Sequence, residues 1–235
     1  MRLRLSHPSH IPLLGLVLMA LTGCAGGAVT SGTAVAPPAA KHPRDILVSG
    51  MITQATADRV LGELEAFDGP AVTIRLDSPG GDVSAALQIH ERLRSGGWGV
   101  VTSVADESRC MSACTLIFAA GDDRVAGPRA RFQFHAPRYV GRVPLPGPIV
   151  DLIEAVTRRG IANTYAAVAP DFARHLAEPG VDALNSRRGL ALSGAQLAER
   201  GDGFVTGIER PVALGPPIAV AEADTVNRRP SPAPP

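Results

Sequence analysis

Short β-rich runs alternate with segments of helical periodicity through the middle of this 235-residue chain. In 83–94, for example, the apolar residues recur at the three- and four-residue spacing of a helix, whereas 72–76 (VTIRL) is typical of a strand. Strands that alternate with helices build βαβ units, whose strands lie parallel. The sequence therefore predicts an α/β fold with a mostly parallel sheet. In chain order, the predicted strands and helices cover 46–48, 56–67, 72–76, 83–94, 99–104, 111–120 and 131–135.

The character of the sequence changes after the last of these strands. Residues 136–148 are rich in Pro and Gly and predict a loop, and apolar spacing over 149–169 predicts a long helix. The capping-box pattern at 193–196 opens a last short helix. We interpret 44–210 as a single folded domain.

The two ends of the chain differ from this domain in composition. Residues 24–43 are small, polar and Pro-bearing, which predicts a flexible tether. Residues 211–235 are rich in Pro and end in RRPSPAPP, which predicts a disordered tail.

Residues 1–23 have the order of a secretory signal peptide, with Arg near the start and an apolar run over 11–21 that is too short to span a membrane. The run ends in LTGC, which resembles the lipobox of bacterial lipoproteins, where Cys24 would carry the lipid. A plain signal peptide with an incidental Cys is the alternative. Ala25, rather than an Asp, follows the Cys, which resembles the pattern of Gram-negative lipoproteins of the outer membrane. We expect an exported chain, lipid-anchored through Cys24 at the periplasmic face of a bacterial membrane, the outer membrane in this interpretation.

The overall composition excludes several classes of protein. The 23 Lys and Arg nearly balance the 22 Asp and Glu, so no basic field predicts a nucleic-acid partner. Hydrophobic residues make up 45% of the chain, which excludes disorder throughout. The 3 Cys are too few for a disulfide-rich scaffold or a four-ligand zinc site, and no metal site is expected. Aromatic residues are only 4%, which predicts a core of Ala, Val, Leu and Ile.

Three short segments carry the candidate chemistry. SPGG at 78–81 follows a predicted strand, and its glycines let backbone N–H groups point into a pocket without a Cβ in the way. CMSACT at 110–115 places Ser112 where a loop enters a helix, so that the next amide lies at the positive end of the helix dipole. FQFHAP at 132–137 places His135 at a strand end, where it can act as a general base. Each also has a plainer explanation: a βα turn, a helix-capping Ser and a hydrogen-bonded His.

In combination, these segments resemble the proteolytic subunit of Clp protease and, more broadly, the ClpP/crotonase superfamily, including signal peptide peptidase A and the serine dehydrogenase proteinase type. The resemblance covers about 45–207 and includes LSGAQLAERGDGFVTGI near its end. It implies a ClpP/crotonase-like fold of repeated β-β-α and βαβ units. It also implies that Ser112 is the nucleophile and His135 the general base, with the amides of Gly81 and Ala113 as the oxyanion hole. This chemistry needs no metal or organic cofactor.

The sequence departs from the family at the third catalytic position. The family has an Asp a few residues before the Leu-Ser of the last segment, where this chain has Arg188, Gly189 and Leu190. Asp182 and Asn185 lie upstream as substitutes, with Asp182 taken as the third member, although an Asn can also orient a His. A Ser/His dyad and an inactive site are the remaining interpretations.

Two cysteines flank the predicted nucleophile. If Cys24 is lipidated, Cys110 and Cys114 remain, an even number in an oxidising compartment. Residues four apart on a helix have Cα atoms about 6 Å apart, within the range for a disulfide. One hypothesis is a Cys110–Cys114 bridge that stiffens the turn at Ser112, and the other is two small buried thiols.

We expect an exported serine peptidase that hydrolyses peptides or unfolded protein segments in the cell envelope. The first alternative is a catalytically inactive ClpP-fold module for binding or assembly there. The second is crotonase-type chemistry on acyl thioesters, for which Ser112 and His135 would be superfluous. The segment after His135 differs from the part of the proteolytic subunit that builds the ring-forming handle. We therefore expect a homo-oligomer but predict no number of subunits.

Overall fold

Eight strands and six helices follow one another along the part of the chain that the computed structural model describes, residues 44–141 and 143–209. The predicted signal peptide, the whole predicted tether and the Pro-rich tail, with Cys24, lie outside the described residues. The strands are β1 (Arg44–Ser49), β2 (Ala71–Asp77), β3 (Gly99–Val104), β4 (Arg109–Met111), β5 (Asp123–Ala126), β6 (Arg131–Phe134), β7 (Leu190–Ser193) and β8 (Gly207–Ile208). The helices are α1 (Gln54–Glu65), α2 (Val83–Ser95), α3 (Cys114–Phe118), α4 (Gly147–Val168), α5 (Pro170–Leu176) and α6 (Gly194–Arg200).

Five strands form one parallel sheet in the order β1-β2-β3-β5-β8. Helix α1 connects β1 to β2 and α2 connects β2 to β3, because parallel neighbours need a long crossover between them. In β2, Val72, Ile74 and Leu76 are buried and alternate with residues that are more exposed. The predicted α/β fold with a mostly parallel sheet is therefore confirmed.

A smaller sheet of β4, β6 and β7 carries the two candidate catalytic side chains. Strands β4 and β6 pair in parallel, with Met111 opposite Gln133, and β7 runs antiparallel to β6. Parallel strands end at the same edge of a sheet, which is where α/β folds place their ligands. Ser112 is the first residue after β4 and His135 the first after β6, so the pairing of these strands brings the two residues together.

Most of the buried hydrophobic residues are Ala, Val, Leu and Ile, as the composition predicts, and the few buried aromatic side chains gather in one place. The phenyl rings pack against Tyr165 of α4 and against one another, mostly edge to face, as in the 4.9 Å approach of Phe134 to Phe172. This cluster joins β6 to α4 and α5, so the aromatic residues hold the strand that ends at His135. The fully buried Phe side chains are Phe118, Phe132, Phe134, Phe172 and Phe204.

Local sequence signals begin the helices that border the site. Thr53 caps α1 within a capping box. Ser193 caps α6 in the same way, as the pattern at 193–196 predicts. Asp82 caps α2, and its carboxylate accepts the Ala85 N–H at 3.0 Å. Because Asp82 directly follows Gly81, this cap also fixes where the Gly-Gly turn ends.

Most differences from the predicted elements concern short segments. The helix predicted over 111–120 is only α3, because Arg109–Met111 pairs with β6 as strand β4. Strands β5, β7 and β8 and helix α5 are too short to show a periodicity of their own in the sequence. The long helix predicted over 149–169 corresponds to α4. Among the described residues, no helix has the length and apolarity that crossing a membrane requires.

Candidate active site

Ser112 occupies a sharp turn between β4 and α3. Its φ of 54° is in the left-handed region, which non-glycine residues adopt rarely and which is enriched at functional sites. The Ser112 N–H donates to the carbonyl of Gln133 at 2.8 Å, and the Ser112 carbonyl accepts the Thr115 N–H at 2.9 Å. The helix cap is Ala113, which makes no side-chain cap bond, so the explanation of Ser112 as a helix-capping residue is wrong. The side-chain hydroxyl of Ser112 is not used in any hydrogen bond among the described residues.

The Gly-Gly turn lies directly against Ser112. Gly80 has a φ of 98°, and a Cβ at this position would lie 2.6 Å from the Met111 carbonyl oxygen and 2.7 Å from the Ser112 Cβ. Gly81 has a φ of 148°, and its Cβ would collide with the backbone of Ile52. Only glycine therefore allows this close approach of the turn to Ser112 and to the loop before α1.

The two predicted oxyanion donors have no other use in the described part of the structure. Ile52 donates to the Gly80 carbonyl and accepts the Asp82 N–H, both at 2.9 Å, which leaves the intervening Gly81 N–H directed away from Ile52. No hydrogen bond of the described residues uses the N–H of Gly81 or of Ala113. Two free backbone donors beside a serine hydroxyl are the arrangement that stabilises an oxyanion.

Ser78 holds the Gly-Gly turn from within. Its buried hydroxyl donates to the Gly50 carbonyl at 2.6 Å and accepts the Gly80 N–H at 3.0 Å. Its backbone also bonds to Arg109 and Met111 of β4. Ser78 thus connects the turn to the strand that ends at Ser112, a role that the sequence does not reveal because the motif gives no sign of which atoms the hydroxyl bonds.

His135 directs one ring nitrogen at the backbone. Its Nδ1 lies 2.7 Å from the Ala136 carbonyl oxygen, which only accepts hydrogen bonds, so the proton is on Nδ1 and Nε2 is free to act as a base. His135 and Ser112 line the same narrow depression, without a hydrogen bond between their side chains. Catalytic pairs often close to hydrogen-bond distance only when substrate is bound. The walls of this depression are apolar and include Val83, Leu116, Phe134, Pro137, Ile161 and Tyr165.

The structure does not bring Asp182 to His135. The Asp182 side chain is exposed and accepts a hydrogen bond from the amide of Asn185, which is also exposed. Next to His135 lies Gly189 instead, where a Cβ would be 2.6 Å from the His135 Cβ. Asp182 is therefore corrected to an exposed residue of the loop before β7, and the Ala136 carbonyl bonds to the ring nitrogen that Asp182 was expected to orient.

A larger groove of about 540 Å³ continues from the depression. The two share Val83 and Pro137, and Gly81 lies at the wall of the groove. One side is formed by the segment that follows His135, which is held to α4 by the Tyr139 N–H bond to the Glu154 carboxylate at 2.8 Å. The lining is mostly apolar and comprises Met51, Gly81, Asp82, Val83, Ser84, Pro137, Arg138, Tyr139, Val140, Ile153, Glu154 and Thr157.

Cys110 and Cys114 form a disulfide across the Ser112 turn, with Cα atoms 5.1 Å apart. Both residues are completely buried. Cys110 belongs to β4 and Cys114 begins α3, so the bridge ties together the strand and the helix between which Ser112 lies.

Removal of this disulfide is expected to lower the free energy of unfolding by about 2 kcal/mol, the chain-entropy contribution of so short a closed loop. Urea unfolding of the Cys110→Ala/Cys114→Ala double variant against the parent measures the difference. A thiol assay on unfolded, unreduced protein provides the check: two reactive thiols from these positions would contradict the bridge.

The chain is similar to known proteins in sequence and in fold. A sequence model of the family described as Clp protease matches residues 30–144. The ATP-dependent Clp protease proteolytic subunit 2 of Gluconobacter oxydans is 30% identical over 146 residues, a match that covers 56% of this chain and 66% of the relative. A mutant of ClpP1 from Listeria monocytogenes has a similar fold, with a TM-score of 0.59 and 23% identity over 71% of this chain and 91% of that chain. By sequence and by fold, the chain belongs to the ClpP-like proteins of the Clp protease family.

Proposed function

We propose that this protein is a serine peptidase of the cell envelope, with Ser112 as nucleophile and His135 as general base. The observation that carries the proposal is the strained Ser112 turn, whose hydroxyl lies beside two free backbone donors at Gly81 and Ala113. The matching family is described as Clp protease and the Gluconobacter oxydans relative is named as a proteolytic subunit, which supports the same chemistry.

The proposed reaction uses only groups of this chain. His135 Nε2 accepts the proton of the Ser112 hydroxyl while the serine oxygen attacks the scissile carbonyl. The resulting oxyanion accepts hydrogen bonds from the N–H groups of Gly81 and Ala113, each worth about 3 kcal/mol. The imidazolium then donates its proton to the leaving amine, and the C–N bond breaks. Water then attacks the acyl carbon while His135 Nε2 accepts its proton. The C–O bond to Ser112 breaks, and the imidazolium returns that proton to the serine oxygen as the acid product leaves.

No carboxylate among the described residues bonds to His135, and the Ala136 carbonyl takes over part of that role. It fixes the Nδ1–H tautomer of His135, which leaves Nε2 as the base. A neutral carbonyl stabilises an imidazolium less than a carboxylate does, so we expect slower turnover than a complete triad gives. The same observation favours the second candidate function, an inactive ClpP-fold module that binds peptides without cleaving them.

The proposed substrates are peptides and unfolded protein segments. The groove beside Ser112 is apolar and open, and an extended chain can place its side chains there while its backbone reaches Gly81. A homo-oligomer is part of the proposal, in agreement with the family, without a defined number of subunits.

The proposed location is the periplasmic face of the outer membrane, with a lipid on Cys24. This location is proposed from the sequence of residues 1–24 alone. The flexible tether over 24–43 and the disordered tail over 211–235 are likewise proposed from the sequence. Fractionation of a bacterial host that expresses the full chain tests it: the protein should follow the membrane and a Cys24→Ser variant should not. Equal distribution of both forms would contradict the anchor.

Cleavage of an unfolded protein tests the function directly. The chain without residues 1–23 is incubated with a reduced, alkylated protein substrate, and the products are identified by mass spectrometry. The parent and a Ser95→Ala control, which alters an exposed serine at the end of α2, should release the same peptides, and Ser112→Ala should release none. Substrate that is bound but remains intact would favour the inactive module.

A further inference from the structure

A buried chain of hydroxyl groups reaches the Ser112 turn from α4. The Tyr165 hydroxyl lies 2.6 Å from the Thr115 hydroxyl, and the Thr115 hydroxyl in turn lies 2.6 Å from the Ser112 carbonyl oxygen. Thr115 is fully buried and Tyr165 is 2% exposed. These contacts link residues 50 positions apart in the sequence, and the peptidase chemistry described above does not use them.

The direction of these hydrogen bonds follows from the number of protons. A carbonyl oxygen only accepts, so the single hydroxyl proton of Thr115 is donated to Ser112. The Tyr165 hydroxyl must then donate to Thr115. Burial raises the pKa of the Tyr165 hydroxyl, which keeps it protonated and able to donate. The hydrogen bonds therefore run from the Tyr165 hydroxyl through the Thr115 hydroxyl to the Ser112 carbonyl, and we call this chain of bonds the relay.

The Ser112 carbonyl shares a peptide plane with the Ala113 N–H. In a trans peptide the two groups point in opposite directions, so whatever holds the carbonyl also aims the N–H. The Ser112 carbonyl accepts both the hydroxyl and the N–H of Thr115. Hydrogen bonds to a carbonyl also polarise its peptide group, which makes the N–H of that group a stronger donor.

We propose that Thr115 and Tyr165 are positioning residues of the oxyanion hole, which aim and polarise the Ala113 N–H through the Ser112 carbonyl. This inference rests on the proposed peptidase function in assigning Ala113 as an oxyanion donor. It predicts that the relay acts on the transition state, where charge develops on the substrate oxygen, and not on substrate binding.

Three variants separate positioning from stability. Thr115→Val keeps the shape and removes the hydroxyl, but it leaves the Tyr165 hydroxyl buried without a partner. Thr115→Val/Tyr165→Phe removes both hydroxyls and with them that penalty. Thr115→Ser retains the hydroxyl. The readouts are kcat and KM for a peptide substrate, Tm, and the amide resonance of Ala113 in 15N-labelled protein.

We expect Thr115→Val to lower kcat by roughly tenfold or more with KM unchanged, since outright loss of an oxyanion donor costs about 100- to 1,000-fold. The double variant should regain Tm but not kcat, and Thr115→Ser should recover most of the rate. The Ala113 amide resonance should move in both variants without the Thr115 hydroxyl, but not in Thr115→Ser.

Recovery of kcat together with Tm in the double variant would overturn the inference, because the relay would then be merely structural. An unmoved Ala113 resonance in Thr115→Val would overturn it as well. If the parent cleaves nothing, the proposed function fails, and the Ala113 resonance alone decides whether the relay orients this peptide.

Discussion

Replacement of His135 by Ala is expected to lower kcat for peptide hydrolysis by about 100- to 10,000-fold, the usual contribution of a positioned general base. The physical reason is that the Ser112 hydroxyl is a poor nucleophile near neutral pH unless a base accepts its proton. Peptide hydrolysis is measured under single-turnover conditions so that slow product release does not hide the loss. The matched control is His175→Ala. His175 lies on α5 and pairs with Glu178, which follows the end of that helix.

Asp182→Ala is the counterpart of that experiment and should leave kcat unchanged. The Asp182 side chain is exposed and bonds to Asn185, whereas the Ala136 carbonyl occupies Nδ1 of His135. A loss of activity in Asp182→Ala comparable with that in His135→Ala would contradict this assignment and would make Asp182 the third catalytic residue after all.

Gly80→Ala is expected to lower the free energy of unfolding by about 3 kcal/mol or more and to abolish activity. The new methyl group would lie 2.6 Å from the Met111 carbonyl oxygen and 2.7 Å from the Ser112 Cβ, and the backbone at Gly80 has a φ of 98°. Strain of this kind costs about 1–3 kcal/mol before any steric clash is counted. The turn must therefore move away from Ser112 and Ala113, and the Gly81 oxyanion donor moves with it. Urea unfolding and peptide hydrolysis measure the two effects.

Gly97→Ala separates the contribution of φ from that of the close contact. Gly97 also has a positive φ, 75°, but a Cβ there would meet nothing within 4 Å. We expect this variant to lose about 1–2 kcal/mol and to keep its activity. Equal losses of stability in the two variants would contradict the close approach of Gly80 to Ser112.

Much of the fold follows from the periodicity of the sequence. Strand β3 begins and ends at the predicted residues, and β2 and α2 differ from the prediction by a single residue at each end or less. Strand β4 could not be predicted, because its three residues form a strand only by pairing with β6 and continue in sequence into α3. The aromatic cluster was not predicted either, since composition counts residues but does not say which of them meet.

The roles of Ser112 and His135 were predicted from the resemblance, and only His135 also follows a strand that the sequence predicts. The third position was not, because the loop before β7 determines it, and a loop has no periodicity from which to infer a register. The resemblance identified 188–190 as the matching stretch, and Gly189 indeed lies against His135. Thr115 and Tyr165 had no signal at all, since their contact depends on how α4 packs on α3.

Covalent labelling with a fluorophosphonate tests the central claim most directly. The folded chain without residues 1–23 is treated with the probe, and the adduct is located by intact mass and peptide mapping, with Ser112→Ala and His135→Ala treated in parallel. The account predicts one adduct on the parent, at Ser112, and none on either variant. A well-folded parent that gains no adduct, or that is labelled at another residue, would contradict the claim that Ser112 is an activated nucleophile.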